Sequence, residues 1–188
     1  MVDKRTENEY KIALIGSTGV GKSSLCLQFA RNRFSERYEP TIEDYYRKVA
    51  MQDGKPLVFD IIDTAGQEGN LTNLDQLIRQ ASGFIMVYDI TQLQSYKEVQ
   101  HFYDRVLHVK NKSHLPIVLV ANKCDMTGQR KISYDQGIAL GQKWDCKFWE
   151  VSAKNKTNLE TVFYECAKII RQSEVDGISN KKCSCVLL

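Results

Sequence analysis

Apolar residues recur along this chain with two periods that alternate. The runs Tyr10–Ile15, Phe84–Tyr88 and Pro116–Val120 are short and apolar, the length and texture of buried strands, and Cys146–Val151 reads as the last strand. Tyr45–Met51 and Pro56–Asp63 read as two further strands, joined by Asp53-Gly54, a dipeptide suited to the positive φ angles of a tight hairpin. Between the strands the spacing becomes helical. Leu25, Leu27, Phe29 and Ala30 form one helix-like pattern, and Leu71, Leu74, Leu77 and Ile78 another. Tyr96, Val99, Phe102, Tyr103, Val106 and Leu107 mark a long helix; Leu159, Val162, Phe163, Cys166, Ile169 and Ile170 mark the last. Ser95 with Glu98, Ser133 with Gln136, and Thr157 with Glu160 have the spacing of capping boxes at helix starts. Residues 32–41 are polar, aperiodic and contain Pro40, and read as a loop.

Strands alternating with helices predict an α/β fold: a six-stranded, mostly parallel sheet with one antiparallel strand from the hairpin, and helices on both faces. In such sheets ligands bind beyond the carboxyl ends of the strands. The stretches that follow strands therefore carry the functional information.

The first of them is Gly16-Ser17-Thr18-Gly19-Val20-Gly21-Lys22-Ser23, which fits G-x-x-x-x-G-K-[ST] between a strand and a helix, with Ser24 next. Its backbone N–H groups and the helix N-terminus make an anion cradle. Lys22 neutralises outer phosphates, and the Ser23 hydroxyl is placed to coordinate a magnesium ion shared with them. This phosphate loop (P-loop) alone does not choose between ATP and GTP. Asp63, at the end of its strand before Thr64-Ala65-Gly66-Gln67, is a carboxylate that can hold the magnesium through a water. Asn122-Lys123-Cys124-Asp125 follows another strand. Asp125 can accept two hydrogen bonds from guanine N1–H and N2–H₂, a pair adenine does not offer, which can discriminate by a factor on the order of 10⁴. Asn122 would tie loops together and reach the base edge, and the Lys123 stem can lie over the ring. Ser152-Ala153-Lys154 follows the last strand, where the Ala153 N–H would read guanine O6.

Composition narrows the setting. The chain has 188 residues, enough for one domain with a sizeable core; 43% are hydrophobic and 26% charged. A net charge of +3 without a long basic run argues against nucleic acid as a partner. No apolar stretch approaches the ~18 residues of a membrane span, and the polar start is not a signal peptide. Cys26, Cys124, Cys146 and Cys166 are scattered and read as reduced thiols.

These motifs together resemble those of Ras-family small GTPases over residues 10–172. The resemblance is carried by Gly16–Ser23, Tyr38-Glu39-Pro40-Thr41-Ile42-Glu43-Asp44, Asp63-Thr64-Ala65-Gly66-Gln67-Glu68, Asn122–Asp125 and Ser152–Lys154. It implies a P-loop NTPase G domain and a monomeric GTP hydrolase cycling between GDP and GTP with Mg²⁺. Gln67 would orient the attacking water, and Gly66 would donate to the γ-phosphate. Thr41 would reach magnesium and the γ-phosphate in the GTP state, Phe34 would pack across the guanine, and Tyr38 would line the nucleotide. Lys22, Thr41 and Gln67 are the expected catalytic set. Intrinsic turnover is expected to be slow. The implied partners are an exchange factor, a GTPase-activating protein, and effectors that read Tyr38 to Asp44 together with Tyr45 and Tyr46. Two departures stand out. Thr18 occupies a position that is usually glycine and is expected to crowd Gln67 and an incoming arginine, which keeps open a GTP-loaded adaptor with impaired hydrolysis. Gly69-Asn70-Leu71 replaces an acid, a tyrosine and a serine.

Residues 1–9 read as a flexible start, and residues 173–188 as a polar, flexible tail. The chain ends Cys185-Val186-Leu187-Leu188, a C-a-a-X sequence with X = Leu, which predicts geranylgeranylation of Cys185. One lipid rarely anchors stably, so Cys183 is a candidate second site, for palmitoylation. The expected location is the cytoplasmic face of the plasma membrane or an endomembrane.

Overall fold

A computed structural model describes residues 8–35, 43–52, 54–64, 71–112 and 114–183; for 43, 71, 72 and 177–183 it describes the backbone alone. The elements run β1 (Glu9–Ile15), α1 (Lys22–Arg31), β2 (Glu43–Gln52), β3 (Lys55–Thr64), α2 (Leu71–Gln80), β4 (Gly83–Asp89), α3 (Leu93–Lys110), β5 (Ile117–Asn122), α4 (Tyr134–Lys143), β6 (Lys147–Glu150) and α5 (Leu159–Cys183). The six strands form one sheet in the order β2-β3-β1-β4-β5-β6, in which only the β2–β3 pair is antiparallel. The hairpin closes with Gln52 opposite Lys55 and Gly54 at φ 74°; Asp53 lies outside the described residues.

Strand alternation divides the core in two. Ile12, Leu14, Ile85, Val87, Val118 and Val120 point to one face, where α1 and α5 bring Leu25, Phe29, Val162, Phe163 and Cys166. Their neighbours Ala13, Ile15, Phe84, Met86, Ile117 and Leu119 point to the other, under Leu77 and Ile78 of α2, Val99, Phe102 and Val106 of α3, and Leu140 of α4. A sheet buried on both faces needs continuous apolar strands, as the sequence predicts for β1, β4 and β5. Phe29 stacks on Phe163 with ring centroids 3.9 Å apart and meets Phe59 edge-on, locking α1 and α5 to the sheet.

The helix starts divide. Ser133 and Gln136 form the predicted capping box on α4. Ser95 and Glu98 do not form one, because other partners claim both, local ones for Ser95 and a distant one for Glu98. The α3 helix starts three residues earlier than such a cap would place it, at Leu93; Ser95 Oγ accepts from the Asp89 N–H at 3.0 Å and donates to the Gln92 carbonyl at 2.8 Å, while Glu98 turns toward Ser17. Likewise Thr157 pairs its backbone with Ser152 ahead of α5, and Glu160 forms an ion pair with Lys48 at 3.2 Å. Helix α5 continues to Cys183, past the polar turn in composition at residue 173. No proline interrupts it, and Gln172 Nε2 donates to Asp176 Oδ1 at 3.1 Å, one turn on.

Candidate functional site

The site forms where the carboxyl ends of the parallel strands meet. The loop between β1 and α1 passes so close to β4 that a Cβ on Gly16 would sit 2.1 Å from the Val87 carbonyl oxygen. Gly21, at φ 94°, is the residue before α1; a Cβ there would lie 2.4 Å from Asn122 Nδ2, so both the backbone angle and the space require glycine. Among the described residues no side chain caps the first turn of α1, and that turn carries no acidic residue, leaving its N–H groups and partial positive charge directed at the loop.

The loop is fastened carbonyl by carbonyl. Lys22 Nζ donates to the Gly16 carbonyl at 2.8 Å and the Ser17 carbonyl at 2.9 Å. Lys123 Nζ donates to the Gly19 carbonyl at 2.9 Å, and Asn122 Nδ2 to the Val20 carbonyl at 2.8 Å. With its carbonyls turned to these donors, the loop presents its N–H side to a ligand. That arrangement selects an anion. Lys22 is nearly fully buried, and burial pulls its pKa from 10.5 down to about 8, against the opposing pull of the Asp63 carboxylate. A buried ammonium held this way gains most from a phosphate, which would restore its full charge.

Asp63 is the complementary group. It is completely buried near the end of β3, in register with Leu14 and Asp44. Neither of its oxygens reaches a partner in good hydrogen-bond geometry among the described residues. Burial lifts its pKa to about 6, outweighing the Ser23 hydroxyl and the Lys22 charge, which pull it down, while Asp44 pushes it further up. A buried carboxylate short of well-aligned hydrogen-bond partners, beside a serine on the first helical turn, fits the outer sphere of a hard divalent cation such as Mg²⁺.

On the other side of the loop, Asn122 closes β5 opposite Asp89, and its Nδ2 ties this strand end to the loop at the Val20 carbonyl. Lys123 takes a left-handed φ of 64°, which turns the chain so that Asp125 follows half-exposed. The Cys124 N–H donates to the Val151 carbonyl at 3.1 Å, joining this loop to the one after β6. There Ser152 Oγ accepts from the Asn155 N–H at 3.0 Å and holds the turn that buries Ala153 and exposes Lys154. Phe34 stands 39% exposed beyond α1, a large ring at the surface. Thr18 is exposed at the apex of the loop. Ser24 is half-buried on the first turn of α1.

Several predicted site residues lie outside the described residues: Tyr38, Glu39, Pro40, Thr41 and Ile42 before β2, Gly66 and Gln67 after β3, and Cys185. Of Glu43 and Cys183 only the backbone is described. The strand that carries Glu43, Asp44, Tyr45 and Tyr46 is the edge of the sheet, with Asp44 and Tyr45 exposed and Tyr46 buried against α1.

Two residues of the site escaped the sequence reading. Asp89, completely buried at the end of β4, pairs with Lys123 Nζ at 2.7 Å and accepts from the Thr91 N–H and hydroxyl at 2.8 and 2.7 Å. Its signal was available: like Asp63, it is an acid closing an apolar run. Glu98 carries no such signal, because its spacing from Ser95 reads as a local capping box and points to nothing distant.

A glycine loop folded over a buried lysine, a helix N-terminus, an unsatisfied buried aspartate and two further loops at adjacent strand ends define a phosphate-loop nucleotide-binding domain. Residues 11–172 match the family model for the Ras family, and the chain belongs to that family. It is thus a small GTPase of the switch type that binds GTP and GDP, a class that works with exchange factors, activating proteins and effectors.

Proposed function

We propose that this protein is a membrane-anchored molecular switch that hydrolyses GTP slowly to GDP and engages effectors in its GTP state. The observation that carries the reading is the convergence of Lys22, Asn122 and Lys123 on the carbonyls of one loop. That convergence couples the phosphate end of the site to the Asn122–Asp125 loop, where guanine would be read. Lys22 neutralises charge on the transferred phosphoryl group, Gln67 orients the attacking water, and Gly66 and Thr41 close on the γ-phosphate. Ser23, Thr41 and, through a water, Asp63 would hold Mg²⁺, which supplies charge neutralisation when bound. Catalysis is then positioning plus electrostatics, with no covalent intermediate.

Residues Tyr38 to Tyr45 form the effector surface, since the edge strand β2 is open to an added strand; Tyr46, expected there from the sequence, faces the core instead and is left out of it. Geranylgeranylation of Cys185, with acylation of Cys183 as second signal, places the protein on a cytoplasmic membrane face. Thr18 favours a second reading, a GTP-loaded adaptor with impaired hydrolysis, because its branched side chain stands exposed where the γ-phosphate and Gln67 would meet.

The deciding experiment is a single-turnover assay: GTP and magnesium loaded onto the purified protein, with GDP formation followed beside Gln67→Leu. Slow conversion that the variant abolishes supports the switch. Tight GTP binding with no conversion by either protein supports the adaptor.

A further inference from the structure

Glu98 lies on the second turn of α3, outside every motif of the site. Both of its carboxylate oxygens are nonetheless engaged: the Ser17 hydroxyl donates to Oε2, and Gln94 Nε2 donates to Oε1 at 2.7 Å. Gripped from its own helix and from the loop, the carboxylate is fixed in orientation. The Ser17 and Gln94 hydrogen bonds hold its pKa below the usual carboxylate range, so it stays ionised and the Ser17 contact is charge-assisted.

The position of this contact matters more than its strength. Ser17 is buried, and its carbonyl is one of the two that orient Lys22. Asn122 and Lys123 secure the far limb of the loop at Val20 and Gly19. The near limb, Gly16-Ser17, is held by Lys22, which must also serve the phosphates, and by Glu98, which need not. A carboxylate beside an anion cradle contributes nothing attractive to a phosphate by itself. Its benefit has to pass through Ser17.

We infer that Glu98 is a positioning residue that ties the phosphate loop to α3 and thereby slows release of bound nucleotide. The inference rests on the reading of Gly16–Ser23 as the site for the phosphates of GDP and GTP. It makes α3, a helix of the protein surface, a mechanical part of the nucleotide site.

The test is a double-mutant cycle on release of fluorescent GDP from the magnesium-loaded protein, with melting temperature and the ³¹P resonance of the bound β-phosphate read on the same samples. Loss of a charge-assisted hydrogen bond predicts that Ser17→Ala and Glu98→Ala each release GDP about five- to tenfold faster. The double variant should be no faster than the faster single. Glu98→Gln still offers Ser17 an acceptor oxygen and should restore both the β-phosphate resonance and the release rate to about twofold of the parent. Multiplying effects in the double variant, parental release from Glu98→Ala, or a Glu98→Gln variant as fast as Glu98→Ala would each overturn the tether. A parent protein that retains no GDP would overturn the site reading itself, and the tether with it.

Discussion

The ammonium of Lys123 sits 2.7 Å from the carboxylate of Asp89, which is completely buried, and also donates to the Gly19 carbonyl at 2.9 Å. One side chain thus connects the end of β4, the loop after β5 and the phosphate loop. Asp89→Asn keeps an acceptor for Thr91 while removing the countercharge. The pair is partly solvated on the lysine side, so the loss is set at about 1–3 kcal/mol rather than the full value of a buried pair. The expected outcome is GDP release about tenfold faster in a fluorescent-nucleotide chase, with a lower melting temperature.

Lys22 makes binding pH-dependent. In the nucleotide-free protein burial holds its pKa at about 8, and a bound phosphate raises it again. For a group whose pKa rises on binding, the contribution to affinity is fully present below the free value and is lost as pH climbs through it toward the bound value. GDP affinity should therefore fall only about twofold between pH 7 and 8 and by up to about tenfold per pH unit above 8. Calorimetry at pH 8.5 in two buffers of different ionisation enthalpy should show proton uptake on binding. Lys22→Met should bind weakly at every pH, with the slope gone.

Thr18 stands exposed at the loop apex; on the proposed reading its bulk would obstruct chemistry without blocking the phosphates. Thr18→Gly should leave GDP affinity within about threefold of the parent and accelerate GTP hydrolysis in the presence of an activating protein by about tenfold or more. Single-turnover assays with and without the activator separate the two effects.

Phe29 is the ring through which α1, α5 and β3 meet, stacked on Phe163 and edge-on to Phe59. Phe29→Ala should cost about 3–5 kcal/mol, read from urea denaturation of the GDP-bound protein. The same change also withdraws the ring beneath the Lys48 ammonium, 3.9 Å from its centroid, so β2 should lose hydrogen-exchange protection along with α1.

The proposed lipid anchor is tested in cells. Cys185→Ser should move the protein from the membrane fraction to the cytosol, and Cys183→Ser should weaken retention while leaving prenylation intact, as read by fractionation and mass spectrometry. Retention of the Cys185→Ser protein on membranes would count against the C-a-a-X reading.

Most of the fold was legible because it follows from local periodicity. Runs such as Tyr10–Ile15 and Phe84–Tyr88 face apolar surroundings on both sides, and Asp53-Gly54 marks the single antiparallel step. The phosphate loop and the Asn122–Asp125 segment were equally legible, since their chemistry depends on residues adjacent in sequence, and the tie from Asn122 to the loop is present. Tertiary structure decided the rest. Ser95 and Glu98 have the local spacing of a capping box, yet Ser95 bonds Asp89 and Glu98 bonds Ser17, 81 residues away. The physical reason is the strand order. Placing β4 between β1 and β5 brings Asp89 beside Asn122 and Lys123, and α3 beside the loop after β1. A periodic pattern tells a residue which face of its own element is buried. Only the order of the strands tells it which distant residue it will meet there.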